Sequence, residues 1–190
     1  MQHKQAISTR RIVFTALMAA LTMVSATLRI RIPITVGGQA AFHLGNTLCA
    51  LDGILLGPWL GGLASGLGSA LYDILLEPAY MSECWITFLT KGAYGLVAGL
   101  VMRSLPKKWG VYLKALAATV AGAVTYAVLY LSKSYFYSGM LMQGLSAETA
   151  WLGVVGKLPA TAFNAAVAII GAPLLAVAIR KALDKSHLSI

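Results

Sequence analysis

Charge is missing from this chain over stretches long enough to cross a bilayer. Residues 12–28, 32–51, 53–72, 115–132 and 158–179 hold no Asp, Glu, Lys or Arg, and residues 84–102 hold one charge, Lys91. A spanning helix needs roughly 20 predominantly apolar residues, so the pattern predicts six spans. Six spans use about 120 of the 190 residues and leave about 70 for five loops and two tails. That leaves no room for a nucleotide-binding fold, a soluble catalytic domain or an independent DNA reader. Composition agrees: 58% of residues are hydrophobic and 11% charged, against about 25% charged in soluble domains. The expectation is an all-α membrane protein, one integral membrane domain over residues 1–190, with six transmembrane helices at about 8–28, 41–57, 59–76, 85–103, 112–137 and 155–181.

A net charge of +9 would suggest nucleic acid in a soluble protein, but here the position of each cation matters more. Lys4, Arg10 and Arg11 precede the first span; Arg103, Lys107, Lys108 and Lys114 separate the fourth from the fifth; Arg180, Lys181 and Lys185 follow the sixth. All ten share one side if six helices alternate. The other side has Arg29, Arg31 and Lys133 with Glu77, Glu83 and Glu148. The positive-inside rule then predicts a multi-pass membrane protein with both termini cytoplasmic. Arg10-Arg11, the apolar run and Val24-Ser25-Ala26 also have the outline of a signal peptide; the even number of spans with basic flanks at both ends favours a first transmembrane helix.

Pro33, Gly37 and Gly38 mark an outer loop long enough to fold back over the protein, Gly57-Pro58 a tight inner turn, and Pro78 a second outer loop. Residues 138–153 read as a third outer loop. Small residues recur four apart at Ala16 and Ala20; Gly61, Ser65 and Ser69; Gly62, Gly66 and Ala70; Gly95 and Gly99; Ala162 and Ala166. This spacing lets helix backbones approach closely in lipid. Intramolecular packing is the default reading, with helix 3 packing on both sides, whereas the ridge of helix 1 could face a partner subunit. No repeat suggesting an inverted-repeat transporter is visible.

An ionisable group within the membrane needs a partner or a purpose. Asp73, Lys91, Lys133 and Lys157 fall at similar depth in the outer half, while Asp52 lies deeper and reads as a structural hydrogen-bonding group. Lys157, Thr161 and Asn164 share one face of helix 6, and Tyr126, Tyr130, Lys133 and Tyr137 one face of helix 5. Two readings follow: a shared polar pocket opening outward, or an interfacial belt of Trp85, Tyr135 and Tyr137 with snorkelling lysines and internal pairs such as Asp73 with Lys91. A pocket with several donors and aromatic faces suits a small planar polar molecule. His3 and His187 lie in the tails, His43 is isolated, Cys49 and Cys84 read as packing residues, and no HExxH, GxSxG or Walker sequence occurs. Neither an enzyme, a cofactor nor a metal site is expected.

The runs Leu44-Gly45-Asn46-Thr47, Leu56-Gly57-Pro58-Trp59-Leu60-Gly61-Gly62-Leu63-Ala64-Ser65-Gly66-Leu67-Gly68-Ser69-Ala70-Leu71-Tyr72-Asp73 and Leu89-Thr90-Lys91-Gly92 closely resemble the substrate-binding S components of energy-coupling factor (ECF) transporters, riboflavin-type branch. Lys157-Leu158-Pro159 with Phe163-Asn164-Ala165 is similar to the family's sixth-helix pattern, and Ala16 to Ala20 to its AxxxA motif. The resemblance implies a high-affinity subunit that captures a water-soluble vitamin or precursor at the outer face, without an ATPase of its own. It also implies partners: a transmembrane coupling subunit met through Ala16 and Ala20, and two ABC ATPases. By position it points to Asn46, Trp85, Lys91, Tyr130, Lys133, Tyr137, Lys157 and Asn164 as ligand-binding residues, with Lys91 and Lys157 as donors or charge partners, Asn164 reading a ring edge, and Trp85 and Tyr130 stacking. Riboflavin, pyridoxine, a hydroxymethylpyrimidine, folate and pantothenate all remain open. The alternatives are a stand-alone channel or small transporter, which would carry polar residues through its full depth, and a structural membrane protein without ligand.

Overall fold

The structure is a computed structural model that describes residues 8–33, 39–106 and 108–186. His3, Lys4, Gly37, Gly38, Lys107 and His187 lie outside the described residues. The described chain forms helices α1 (Thr9–Thr27), α2 (Gly45–Leu56), α3 (Pro58–Leu75), α4 (Cys84–Ser104), α5 (Val111–Ser132) and α6 (Ala147–Lys185). Between them come strands β1 (Arg29–Pro33) and β2 (Gln39–His43), a 3-10 turn Pro78–Glu83 and a π-helix Lys133–Met142. Four helical segments are long and apolar enough to cross a membrane: Thr9–Thr27, Pro78–Ser104, Val111–Met142 and Ala147–Lys185. The 12 residues of α2 rise only about 18 Å.

α2 is the hub, apolar and buried on nearly every side, the pattern of a helix enclosed by others. α1, α3, α4 and α6 pack around it. Its lone acid, Asp52, is fully buried, and its Oδ2 accepts from Thr22 Oγ1 of α1 and Ser65 Oγ of α3, each at 2.9 Å. One carboxylate oxygen thus ties three helices together where lipid offers no alternative partner. At Gly57 the backbone takes φ +83°, a left-handed value that suits glycine. Pro58 then opens α3 with its φ already helical.

Absence of a Cβ sets the distances between α2, α3 and α4. A Cβ at Gly53 would lie 2.2 Å from Gly95 O, one at Gly61 2.5 Å from Asp52 O, and one at Gly95 2.5 Å from Ser65 Oγ. The opposite side of α3 meets α1, where a Cβ at Gly68 would lie 2.3 Å from Ala19 O. The ridges of α3 and α4 therefore pack internally. Ala162 and Ala166 do not: both are exposed on α6, which corrects the default reading for that pair. Ala16 and Ala20 are exposed as well, along one outward face of α1.

The structure moves several expected boundaries. Helix 2 starts at Gly45 rather than about 41, because residues 39–43 pair antiparallel with β1 in the register Arg29↔His43 and Ile30↔Phe42. The stretch Arg29-Ile30-Arg31-Ile32 alternates charge and apolar residues with the period of a strand. Helix 6 starts at Ala147 rather than 155: Ser146 caps it by accepting from Thr149 N at 3.3 Å, and Glu148 favours the first turn. Helix 5 stays α-helical only to Ser132 and continues as the π-helix, so most of the expected third loop is helical.

Gly53→Ala should therefore destabilise the detergent-solubilised protein by about 1–3 kcal/mol through overpacking. Gly110→Ser, in open space at the α5 N-cap, should leave stability unchanged or slightly raised. Thermal unfolding of both variants checks this.

Candidate ligand-binding site

At the hairpin end of the bundle the helices splay around a cavity of about 390 Å³, within the range of small-molecule sites. α4 supplies its innermost cation. Lys91 is 7% exposed; its Nζ donates to Asn46 Oδ1 of α2 and lies 4.0 Å from the centroid of the Tyr126 ring. No carboxylate forms an ion pair with it among the described residues, so the Asp73–Lys91 pair of the belt reading does not form. Asp73 lines the cavity with a buried Oδ2 that has no hydrogen-bond partner. Tyr94, Tyr126 and Tyr130 form a stacked ladder, with centroids 6.0 and 5.6 Å apart.

Lys157 of α6 is also 7% exposed. Its Nζ donates to Ser134 Oγ of the π-helix at 3.3 Å and lies 6.0 Å from the Tyr130 centroid. The cavity thus holds two buried ammonium groups without carboxylate partners, an aromatic wall beside both, and hydroxyls of Thr87, Thr90 and Thr161. Buried cations of this kind favour a solute that brings acceptors or negative charge.

Ion pairs between segments hold the rim. Arg29 and Arg31 of β1 both meet Glu77 beyond α3, and Arg29 also lies 4.2 Å over the Tyr72 ring. Lys133 meets Glu83 of the 3-10 turn, whose other oxygen accepts from Ser138 Oγ at 3.1 Å. Asn164 of α6 acts as a clasp: its Oδ1 accepts from His43 N at 2.9 Å and its Nδ2 donates to Ala41 O at 2.8 Å. The amide binds β2 as a neighbouring strand would, and so pins the hairpin over the cavity. His43 Nδ1 in turn accepts from Gly45 N at 3.1 Å, which requires an unprotonated Nδ1. Burial first, then the charges of Lys91 and Arg29, hold this imidazole well below its ordinary pKa.

Of the residues singled out from the sequence, Lys91, Tyr130, Lys133, Lys157 and Asn164 line the cavity, and Asn46 stands behind Lys91. Trp85 and Tyr137 do not. They pair edge to face at 5.9 Å outside it, with Trp85 54% exposed. Trp85 shares the outward face of α4 with the exposed Leu89 and Leu100, the placement of an interfacial aromatic belt. Sequence reasoning missed Arg29, Arg31, Tyr72, Tyr80, Glu83 and Gln143 as lining residues. Only the alternation of Arg with Ile in β1 could have flagged the first two.

A family model described as ECF-type riboflavin transporter, S component, matches residues 6–181. A protein of Pyrococcus woesei described as "Uncharacterized protein in gap 3'region" is 32% identical over 113 residues, covering 60% of this chain and 71% of that protein.

Lys91→Met removes a buried charged donor, which costs about 1.5–3 kcal/mol, or roughly ten- to hundredfold in Kd for the captured solute. Trp85→Ala should stay within about twofold. Asn164→Ala should weaken binding by freeing the hairpin, seen as faster amide exchange in β2. Calorimetric titration and hydrogen exchange check the three. Because folding lowers the His43 pKa, the unfolded chain takes up its proton first, and stability should fall as pH drops below about 6.5. His43→Asn keeps an acceptor for Gly45 N and should flatten that dependence in thermal unfolding between about pH 6.5 and 5.

Proposed function

The chain belongs to the ECF-type riboflavin transporter S component family, and we propose that it captures a water-soluble vitamin or vitamin precursor in the cavity of Lys91 and Lys157 for ATP-driven uptake. Members of the family are substrate-binding transport subunits, multi-pass proteins of prokaryotic membranes, not enzymes. The observation that carries the proposal is the pair of buried, carboxylate-free ammonium groups beside the tyrosine ladder. Flat heteroaromatic rings with carbonyl or ring-nitrogen acceptors match both features, because the lysines donate to the edge while the tyrosines meet a face. The family's description makes riboflavin the first ligand to test.

In this reading the chain crosses the membrane six times, with both termini cytoplasmic and the cavity facing outward. Charge placement supports it: Arg10, Arg11, Arg103, Lys108, Lys114, Arg180, Lys181 and Lys185 flank the spans on the side away from the cavity, against Arg29, Arg31 and Lys133 on the cavity side. The coupling subunit, with its two ABC ATPases, docks on α1 through Ala16 and Ala20. Their exposure in a line flanked by Leu17 and Leu21 supports this, since two small residues one turn apart admit close approach of a partner helix.

Mass spectrometry of small molecules released from the chain, purified alone after growth in rich medium, should find one vitamin in stoichiometric amount. Release of nothing, together with no thermal stabilisation by added riboflavin or the other vitamins, overturns the capture reading in favour of a structural membrane protein. Ala16→Leu with Ala20→Leu should leave solute binding intact and abolish uptake.

A further inference from the structure

The end of the bundle opposite the ligand cavity holds a second concavity, of about 240 Å³, between α1, α2, α4, α5 and α6. Its charged lining consists of Arg11, Arg103, Lys114 and Arg180; no Asp or Glu lines it among the described residues, and none of the four cations enters an ion pair there. Two of them have a partial structural explanation. Arg180 Nη2 donates to Ile54 O at 3.0 Å and Arg11 Nη2 to Leu56 O at 3.4 Å, which satisfies the last carbonyls of α2. That use leaves Arg11 Nε and Arg180 Nε buried without a partner, and it accounts for neither Arg103 nor Lys114. Arg103 lies flat against the α2–α3 turn, where a Cβ at Gly57 would fall 2.3 Å from its Nη2.

Four cations converging on one concavity repel each other unless an anion joins them. The surroundings indicate what kind of anion. Trp59, 76% exposed at the start of α3, and the exposed Trp109 and Tyr112 at the start of α5 belong to this same end of the bundle. Exposed Trp and Tyr at one level of a membrane protein mark the headgroup layer, and basic recesses between helices at that level are suited to lipid phosphates.

We propose that this concavity binds the phosphate of a membrane phospholipid, with Arg103 and Lys114 as its free cationic donors and Arg11 and Arg180 holding the pocket against the end of α2. A phosphate oxygen accepts planar, paired N–H bonds from arginine and a point contact from lysine. The acyl chains would run up the bundle from the level of Trp59.

The test compares the wild-type chain with R103Q/K114Q, a variant that leaves both α2-capping arginines in place. Each is delipidated in detergent and titrated by native mass spectrometry with phosphatidylglycerol, with diacylglycerol of the same acyl chains, and with inorganic phosphate. Wild type should retain one phosphatidylglycerol at least tenfold more tightly than the variant, and diacylglycerol should bind neither. Without lipid the variant should unfold at a temperature no lower than wild type, since it is relieved of the repulsion among the four cations. Equal phosphatidylglycerol retention by both, or retention of diacylglycerol as tightly as phosphatidylglycerol, overturns the site. Inorganic phosphate alone displacing the lipid and stabilising the chain equally well overturns the lipid assignment in favour of a soluble anion. A variant that retains lipid but no longer co-purifies with the coupling subunit reassigns the cations to an acidic protein surface. Riboflavin binding at the opposite end is measured in parallel, so loss of one site is distinguishable from loss of the other.

Discussion

Backbone meets backbone between α2, α3 and α4, and this contact sets the spacing of those three helices. In lipid there is no hydrophobic drive to press helices together, so dispersion contact and internal hydrogen bonds must do it. Gly53, Gly61 and Gly95 let carbonyl groups approach where any Cβ would collide. The resulting wedge brings Thr22 and Ser65 close enough to donate to Oδ2 of Asp52, while its Oδ1 is buried without a partner. Beyond the wedge α3 and α4 join the hairpin, α5 and α6 in lining the cavity.

That cavity illustrates how a membrane protein can hold cations without neutralising them. Its rim cations are paired: Arg29 and Arg31 with Glu77, Lys133 with Glu83. These pairs connect the hairpin to α3 and the π-helix to the 3-10 turn, so they act as struts. The inner cations, Lys91 and Lys157, donate to neutral partners, Asn46 and Ser134. A solute entering between them meets donors that cost little to reorganise, which is the arrangement expected for tight capture without chemistry. Asn164 contributes by position, since both ends of its amide are committed to β2.

The opposite end uses arginine differently. There the C-terminal carbonyls of α2 require donors, and Arg11 and Arg180 supply them from α1 and α6. Binding a helix terminus draws the two ends of the chain together around the hub. It also gathers cations at the membrane surface, where anionic lipid is the abundant counterion.

Charge-free runs of membrane length, the Gly57-Pro58 turn and the four-residue spacing of Gly and Ser in α3 could be read from the sequence because each depends on local spacing. So could the membrane class and the family, which the Gly-rich run of α3 carries. Sequence periodicity also put Lys157, Thr161 and Asn164 on one face of helix 6. It could not tell that Trp85 faces outward with Leu89, since one residue of helical rotation separates a lining side chain from a lipid-facing one. The strand Arg29–Pro33 was hidden because its alternation is only five residues long. Whether Ala16 and Ala162 pack inside or face outward is likewise undecided by spacing, which is the same in both ridges. Which polar groups meet, Asn46 with Lys91, Asn164 with β2, Arg180 with α2, was decided by tertiary structure alone. Those partners are separated by 45, 121 and 126 residues, and only the packing of the glycine wedge brings them within hydrogen-bond reach.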